Sequence, residues 1–228
     1  MISGIYTLID GALVHQLRFE TISNNMANLS TNAFRKDIIS FNEALSMNYA
    51  SETDFTPGPV RHTGNDLDVA LEGQGFFKVQ TPKGVRYTRD GAFSLNAQGI
   101  LVTRSGDVVL GENGPITITG KKMTIANDGQ VVVDGTSVDK LMLVAFKQPR
   151  LLSKEGSSYY FHQGKESEVL AAEEAGVKQS YLEGSNVSPT AEMIKMVEAF
   201  RAFESAQKAI QSIDEITSKM INDQGLHQ

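Results

Sequence analysis

At 228 residues, with 40% apolar and 21% charged side chains, the chain has room for one large or two modest domains and the composition of an ordinary folded protein. A net charge of −6 with scattered Lys and Arg argues against nucleic acid and against an anionic membrane surface as partners. Cysteine is absent, which excludes disulfides, a thiolate nucleophile and cysteine-ligated zinc, and selects neither redox compartment.

Residues 3–30 predict an amphipathic helix. Ile5, Leu8, Ala12, His15, Phe19, Ile22, Met26 and Leu29 alternate strictly by three and four, with Ile9 and Leu17 nearby and Ser3 placed to cap. Asp10, His15, Arg18 and Glu20 interrupt any compact apolar run, so this stretch does not read as a cleavable secretory signal. The helix is expected to end in the Asn-rich run from Asn24 to Asn32, because Asn tolerates the left-handed conformation and its side chain competes for backbone hydrogen bonds.

After Phe34 a short helix is expected around Phe41 to Met47, and Thr56-Pro57-Gly58-Pro59 marks a linker. Short strand-like runs follow at nearly regular spacing: Leu67–Leu71, Phe76–Val79, Val85–Arg89, Ala92–Leu95, Ile100–Thr103, Val108–Leu110, Ile116–Ile118, Met123–Ile125, Val131–Val133 and Leu141–Phe146. Between them stand Lys83-Gly84, Asp90-Gly91, Gln98-Gly99, Ser105-Gly106, Asn113-Gly114, Asp128-Gly129 and Asp134-Gly135, residues that supply the positive φ of tight hairpins. This pattern reads as an antiparallel all-β domain. Its longest apolar run, Leu141 to Phe146, is far too short to span a bilayer. From Lys147 to Leu182 the strand signal weakens, and Glu166, Glu168, Glu173 and Glu174 predict a solvated connection.

The run Glu183 to Pro189 breaks the chain, and Thr190 is the expected N-cap of a long helix reaching Met220. Met193, Met196, Ala199, Phe200, Ala202, Phe203, Ala206, Ala209, Ile210, Ile213, Ile216 and Met220 make one apolar stripe. At 1.5 Å per residue such a helix is on the order of 45 Å long, too long for the core of this chain to cover. It closes a terminal hairpin with the first helix, or it packs on neighbouring molecules; periodicity leaves both open. The expected fold class is α+β: an all-β central domain flanked by long N- and C-terminal amphipathic helices that pair as a coiled coil. Residues 1–34 and 183–228 are then the helical assembly segments, 35–59 a connector and 60–182 the β-domain.

Little in the chain suggests catalysis. Asp66, Asp68 and Glu72 would share one strand face as paired carboxylates, but Leu67, Val69 and Leu71 opposite them describe any half-buried strand, and the solvated face is the reading favoured. Gly73-Gln74-Gly75 lacks the third glycine of a nucleotide fingerprint and runs on into strand, so it reads as a turn. His15, His62, His162 and His227 show no metal-ligand spacing, and His15 reads as a packed or interface histidine. No Gly-x-Ser-x-Gly elbow is present. No catalytic, cofactor or metal residue is assigned, and no cofactor or small-molecule substrate is expected.

Three stretches together resemble one family, the axial proteins of the bacterial flagellum (rod and hook subunits). The first is Ser23 to Arg35, with Asn24, Asn25, Ala27, Asn28, Thr31 and Phe34 carrying the likeness. The second is Thr63 to Phe77 followed by Tyr87 to Phe93, with Leu67, Asp68, Gly75, Phe76, Phe77, Thr88, Arg89 and Gly91. The third is Leu182 to Val187, with Gly184, Ser185, Asn186 and Val187, leading into the long helix. All three stand in the family's order, and the resemblance covers nearly the whole chain. The opening Ile5-Tyr6 and the run Gly111 to Thr117 look most like the proximal rod subunits, with the distal rod subunits next. One departure is Ala33, where the family usually has Gly; a positive φ there would strain the alanine.

The resemblance implies a structural subunit of the basal-body rod, the hollow shaft that transmits torque to the hook, with no enzymatic turnover. It implies copies of itself and other rod subunits as partners, delivery by the flagellar type III export apparatus, and a final place in the periplasmic rod, without insertion in the membrane. On this reading Ile5, Leu8, Ala12, Phe19, Ile22, Met26, Leu29, Met193, Met196, Phe200, Phe203, Ala206, Ile210, Ile213 and Ile216 form the assembly interface. An oligomeric β-domain binding module or adhesin with helical ends is the alternative, and a carbohydrate hydrolase using Asp66, Asp68 or Glu72 is the weakest reading.

Overall fold

The computed structural model describes residues 2–41, 49–120, 122–165, 168–172 and 175–225. Two compact units divide the chain: one of Met1–Ala27, Asp37–Glu52 and Ser188–Gln228, the other of Asn28–Lys36 and Thr53–Val187.

The first unit contains helix α1 (Ile2–Ala27), the two-stranded sheet of β1 (Asp37–Phe41) and β2 (Tyr49–Thr53), of which Thr53 belongs to the second unit, and helix α2 (Pro189–Gly225). Helix α1 packs on both α2 and β1. Helix α2 opens at Pro189, one residue before the expected cap at Thr190. Proline lacks an N–H and its φ is preset, which suits the first helical position, and the Glu192 N–H then bonds Ser188 O at 3.0 Å.

The second unit is built from strands. Its largest sheet has ten: β5 (Phe76–Thr81), β6 (Gly84–Thr88), β7 (Phe93–Leu95), β8 (Leu101–Thr103), β9 (Val108–Gly111), β10 (Gly114–Pro115), β14 (Leu143–Phe146), β15 (Leu152–Glu155), β16 (Tyr159–His162) and β17 (Val169–Ala171). A three-stranded sheet joins β11 (Met123–Ile125), β12 (Gln130–Val133) and β13 (Thr136–Lys140). Two further pairs are β4 (Val69–Glu72) with β18 (Gly176–Gln179), and β3 (Val60–His62) with β19 (Tyr181–Glu183).

Strand β5 is the centre. It pairs with β6 along one edge, while β14 and β9 share the other, with Phe77 opposite Leu143 and Val79 opposite Val109. Successive side chains of a strand point to opposite faces, so β5 feeds two cores. Phe77 and Val79 enter one with Val69, Leu101, Val109, Ile116 and Val131. Phe76 enters the other with Tyr87, Val144, Phe146, Leu152 and Tyr160. The rings meet edge-on, Phe77 with Phe93 at 5.1 Å and Phe76 with Phe146 at 5.5 Å.

The expected fold class is corrected. The chain is mainly β, with two α-helices among the described residues, and α1 does not stand clear as a flank to a separate β-domain, because its own unit includes β1 and most of β2. The helices do not form a coiled coil. Phe19, Met193, Phe200 and Ile216, expected in the seam, are each more than 40% exposed, whereas polar Asn25 and Glu192 are buried. A stripe read from periodicity is wider than the face that β1 and a single partner helix cover.

Smaller differences have local causes. The strand expected over Leu67 to Leu71 begins at Val69, and Val69, Ala70 and Leu71 are all buried, since both faces of β4 are covered and no alternation survives. Ile116 to Ile118 is held by one bridge, Ile100 to Thr117, and buries Ile116 without forming a strand. The stretch from Lys147 to Leu182 is no solvated connection: it supplies β15 to β19 and buries Leu152, Tyr160, Val177 and Leu182. Residues 42–48, on which most of the expected Phe41 to Met47 helix falls, and Glu166, Glu173, Glu174 and His227 lie outside the described residues; Phe41 itself closes β1.

Candidate assembly surface and the buried clasp

In the first unit, Asn25 is the organising polar residue. It is 1% exposed, its Oδ1 accepts from the Asp37 N–H at 2.9 Å, and its Nδ2 donates to Asp37 O at 2.9 Å and to Glu192 Oε2 at 3.4 Å. One side-chain amide thus satisfies the first residue of β1 and the first turn of α2. Lys195 Nζ donates to the other oxygen of the buried Glu192 carboxylate at 2.7 Å. A buried amide so engaged fixes position, since each bond it makes would otherwise be an unmet polar group.

Ile22 of the expected interface is buried, and Ala12 and Met26 are half-buried on α1. On α2, Met196, Phe203, Ala206, Ile210 and Ile213 are half-buried, while Met193, Phe200 and Ile216 are exposed. Ile5 and Leu8 lie on α1; their side chains are outside the described set. An apolar notch of about 180 Å³ is lined by His15, Gln16 and Phe19 from α1 and by Ala199, Phe200 and Phe203 from α2. Ile194 and Val197, which the stripe had not included, are also more than half exposed.

In the second unit the family-like stretches converge on a buried clasp. Arg35 Nη2 stands 2.5 Å from Glu183 Oε1, and Arg89 Nε donates to Glu183 Oε2 at 2.8 Å, with none of the three side chains more than 4% exposed. The Gly58 N–H also reaches Glu183 Oε1, at 2.8 Å. Arg89 Nη1 donates to Gly75 O at 2.7 Å and Gly73 O at 3.0 Å, and Nη2 to Leu71 O at 3.3 Å. The Gly-Gln-Gly stretch is therefore a turn whose carbonyls, not its amides, face a charge. Burial lowers the Arg89 pKa from its ordinary value, Glu183 pulls it back up, and the Arg35 charge lowers it further.

Main-chain contacts extend the clasp. The Ala33 N–H bonds Glu183 O at 2.9 Å, and the Asn186 N–H bonds Phe34 O at 3.1 Å. Asn186 Oδ1 accepts from the Lys36 N–H at 2.7 Å, while its Nδ2 donates to Asp54 O at 2.9 Å and Thr56 O at 3.0 Å. Gly58 approaches so closely that a Cβ on it would strike the Gly184 carbonyl. Lys154 Nζ caps the Phe34 ring at 3.8 Å and donates to Arg35 O at 2.7 Å.

The remaining family-like positions serve turns and close approaches. Asn28 Oδ1 accepts from Thr31 Oγ1 at 3.0 Å, and Thr88 Oγ1 donates to Ser158 O at 2.8 Å while accepting from the Asp90 N–H at 3.0 Å. The Ser185 hydroxyl accepts from the Val187 N–H at 3.3 Å. Asn24 and Ala27 are exposed, Leu29 and Leu67 half-buried, and Asp68, Gly75, Phe76, Phe77 and Gly91 buried. The three candidate carboxylates do not share a face. Asp68 is buried and accepts from Asn65 Nδ2 at 3.1 Å, Glu72 pairs with Lys178, and Asp66 is exposed.

Arg35 and Glu183 escaped selection from the sequence. The available signal was a charge set directly beside an apolar residue at each end of the β-rich segment, Phe34-Arg35 and Leu182-Glu183.

Comparison with known proteins accounts for this convergence. Residues 70–133 match the flagellar hook protein FlgE/F/G D1 domain, and residues 178–223 match the flagellar basal body rod FlgEFG protein C-terminal family. The chain is 31% identical to the flagellar basal-body rod protein FlgF of Caulobacter vibrioides, over 99% of each chain. It is 30% identical to the rod protein FlgG of Bacillus subtilis, over 97% of this chain and 99% of the relative. To FlgG of Buchnera aphidicola subsp. Acyrthosiphon pisum it is 32% identical, over 96% of this chain and 99% of the relative. These relatives give no support to an adhesin or a hydrolase: they are rod proteins of the flagellar basal body. This chain belongs to the flagellar rod and hook family and is a non-enzymatic, structural rod protein of the flagellar basal body.

Proposed function

We propose that this rod subunit joins copies of itself and its axial neighbours through its terminal segments, residues 1–34 and 183–228, and that residues 60–182 form a preformed β-rich body. The observation that carries the proposal is the row Met193, Ile194, Val197 and Phe200 on α2, each more than half exposed. Positions i, i+1, i+4 and i+7 share one helix face, and a contiguous apolar face in water favours contact. Fully burying such a side chain contributes roughly 1.5–3 kcal/mol, enough over several residues to offset the ordering of a terminal segment. A head-to-tail contact that does not close extends into a shaft, which is the form a torque-bearing rod requires. The flagellar type III apparatus is the export route consistent with this role.

Phe200→Asp tests the surface. Because Phe200 is 53% exposed, the subunit should fold as the wild type does, yet fail to enter the rod and leave cells non-motile. Normal motility with the variant present in isolated basal bodies would sink the assignment. Limited proteolysis of the purified subunit supplies the second arm: the terminal segments should be trimmed before the β-rich body, and equal resistance throughout would count against ordering on assembly.

A further inference from the structure

The Arg35–Glu183–Arg89 clasp holds more positive charge than its protein groups neutralise. Two guanidiniums face one carboxylate in a region shielded from solvent. Arg89 finds acceptors in Glu183 and the carbonyls of Gly73, Gly75 and Leu71. Arg35 does not: among the described residues, nothing accepts a hydrogen bond from its Nε or Nη1. A buried guanidinium with donors left unmet is unfavourable, and two cations against one anion compound the penalty.

We infer that Arg35 anchors a binding site for a small monovalent inorganic anion, of which chloride is the type. The ion accepts from Nε and Nη1 and completes a neutral cluster of two arginines, Glu183 and itself. Water would supply acceptors but leave the surplus charge unmatched. A doubly charged phosphate would overcompensate it beside the Glu183 carboxylate. The downward displacement of the Arg89 pKa by burial and by the Arg35 charge agrees with a cluster that lacks negative charge. On this account the anion is a structural component of the clasp, and the β-rich unit is most stable where chloride is abundant.

The test uses the full chain in solution. Thermal unfolding is followed at constant ionic strength while sodium chloride replaces sodium gluconate, whose anion is too large for an enclosed site. Each tenfold rise in chloride above the dissociation constant should raise Tm by about 3–5 °C. A crystal soaked in bromide should show an anomalous peak at hydrogen-bond distance from the Arg35 guanidinium. In a folded Arg35→Met protein the chloride dependence should vanish. Equal Tm in chloride and gluconate, or a bromide-soaked wild-type crystal with no peak at Arg35, overturns the proposal and leaves water as the acceptor. Persistence of the chloride effect in folded Arg35→Met overturns it too, and if that variant does not fold, the bromide position in the wild type decides.

Discussion

Arg35 and Glu183, far apart in sequence, meet at 2.5 Å with both side chains fully shielded from solvent. Their pairing ties the segment that follows the first helix to the strand that leads toward the second. Glu183→Gln removes the one carboxylate that serves both arginines and leaves two buried guanidiniums unpaired. Breaking a buried pair in this way costs about 3–5 kcal/mol. The midpoint of urea unfolding should fall accordingly with little change in slope. A loss under about 1 kcal/mol would mean that Glu183 is not the charge partner of Arg35.

Ala33 has φ +52° and is 1% exposed, so an alanine sits in the left-handed region. That conformation costs an L-residue roughly 1–2 kcal/mol. Ala33→Gly relieves it, but the freer unfolded chain takes back about 0.5–1 kcal/mol and the lost methyl contact about 0.8 kcal/mol. The terms nearly cancel, and the measured change should stay within about 1 kcal/mol of zero. Ala33→Val should cost roughly 3 kcal/mol, because a β-branched side chain in this region adds overpacking to strain. Equal stability of the two variants would show that the backbone there is not left-handed.

Gly91 is needed for a close approach. A Cβ on it would run into the Val69 carbonyl, the neighbour of the Val69 N–H that bonds Gly91 O at 3.0 Å. Gly91→Ala must push β4 away from the Asp90-Gly91 turn, in the core that Phe77 and Val69 share, and should cost more than about 3 kcal/mol. Circular dichroism melts of the wild type and variant would read this directly. A variant that melts with the wild type would refute the contact.

Asp90 has its pKa raised above 3.8, first by burial and further by the charge of Asp68, against a hydrogen bond from the Ala92 N–H and the charge of Arg104. A carboxyl that holds its proton more tightly when folded adds no penalty below its unfolded value. It costs stability progressively as pH rises from there through the folded value. Asp90→Asn retains an Oδ1 to accept from Ala92, which Asp90 does at 3.1 Å, and carries no charge. The stability of the variant relative to wild type should therefore be greater at pH 7 than at pH 3. A difference that is constant with pH would show that Asp90 is not perturbed.

Turn chemistry was the most legible part of the chain. Gly84, Gly99, Gly106, Gly114, Gly129 and Gly135 all have positive φ where the sequence places hairpins, because a tight turn is decided by two or three adjacent residues. Gly91 was marked as the same kind of turn, yet it has no positive φ; it is glycine because another strand passes against it. β17 to β19 stayed hidden because their partners are distant in sequence, β17 on β14, β18 on β4 and β19 on β3, and short strands become stable only once paired.

By itself the sequence determined what depends on near neighbours: turn positions, apolar periodicity, and the ordered motifs that mark the family. Tertiary structure alone decided which stripe residues are covered, since periodicity names a face and says nothing of its partner's width, so Phe19 and Phe200 are exposed while Asn25 is buried. It also decided that Glu183 serves Arg35 and Arg89, because a buried charge finds its partner through the packing of strands and not through spacing along the chain.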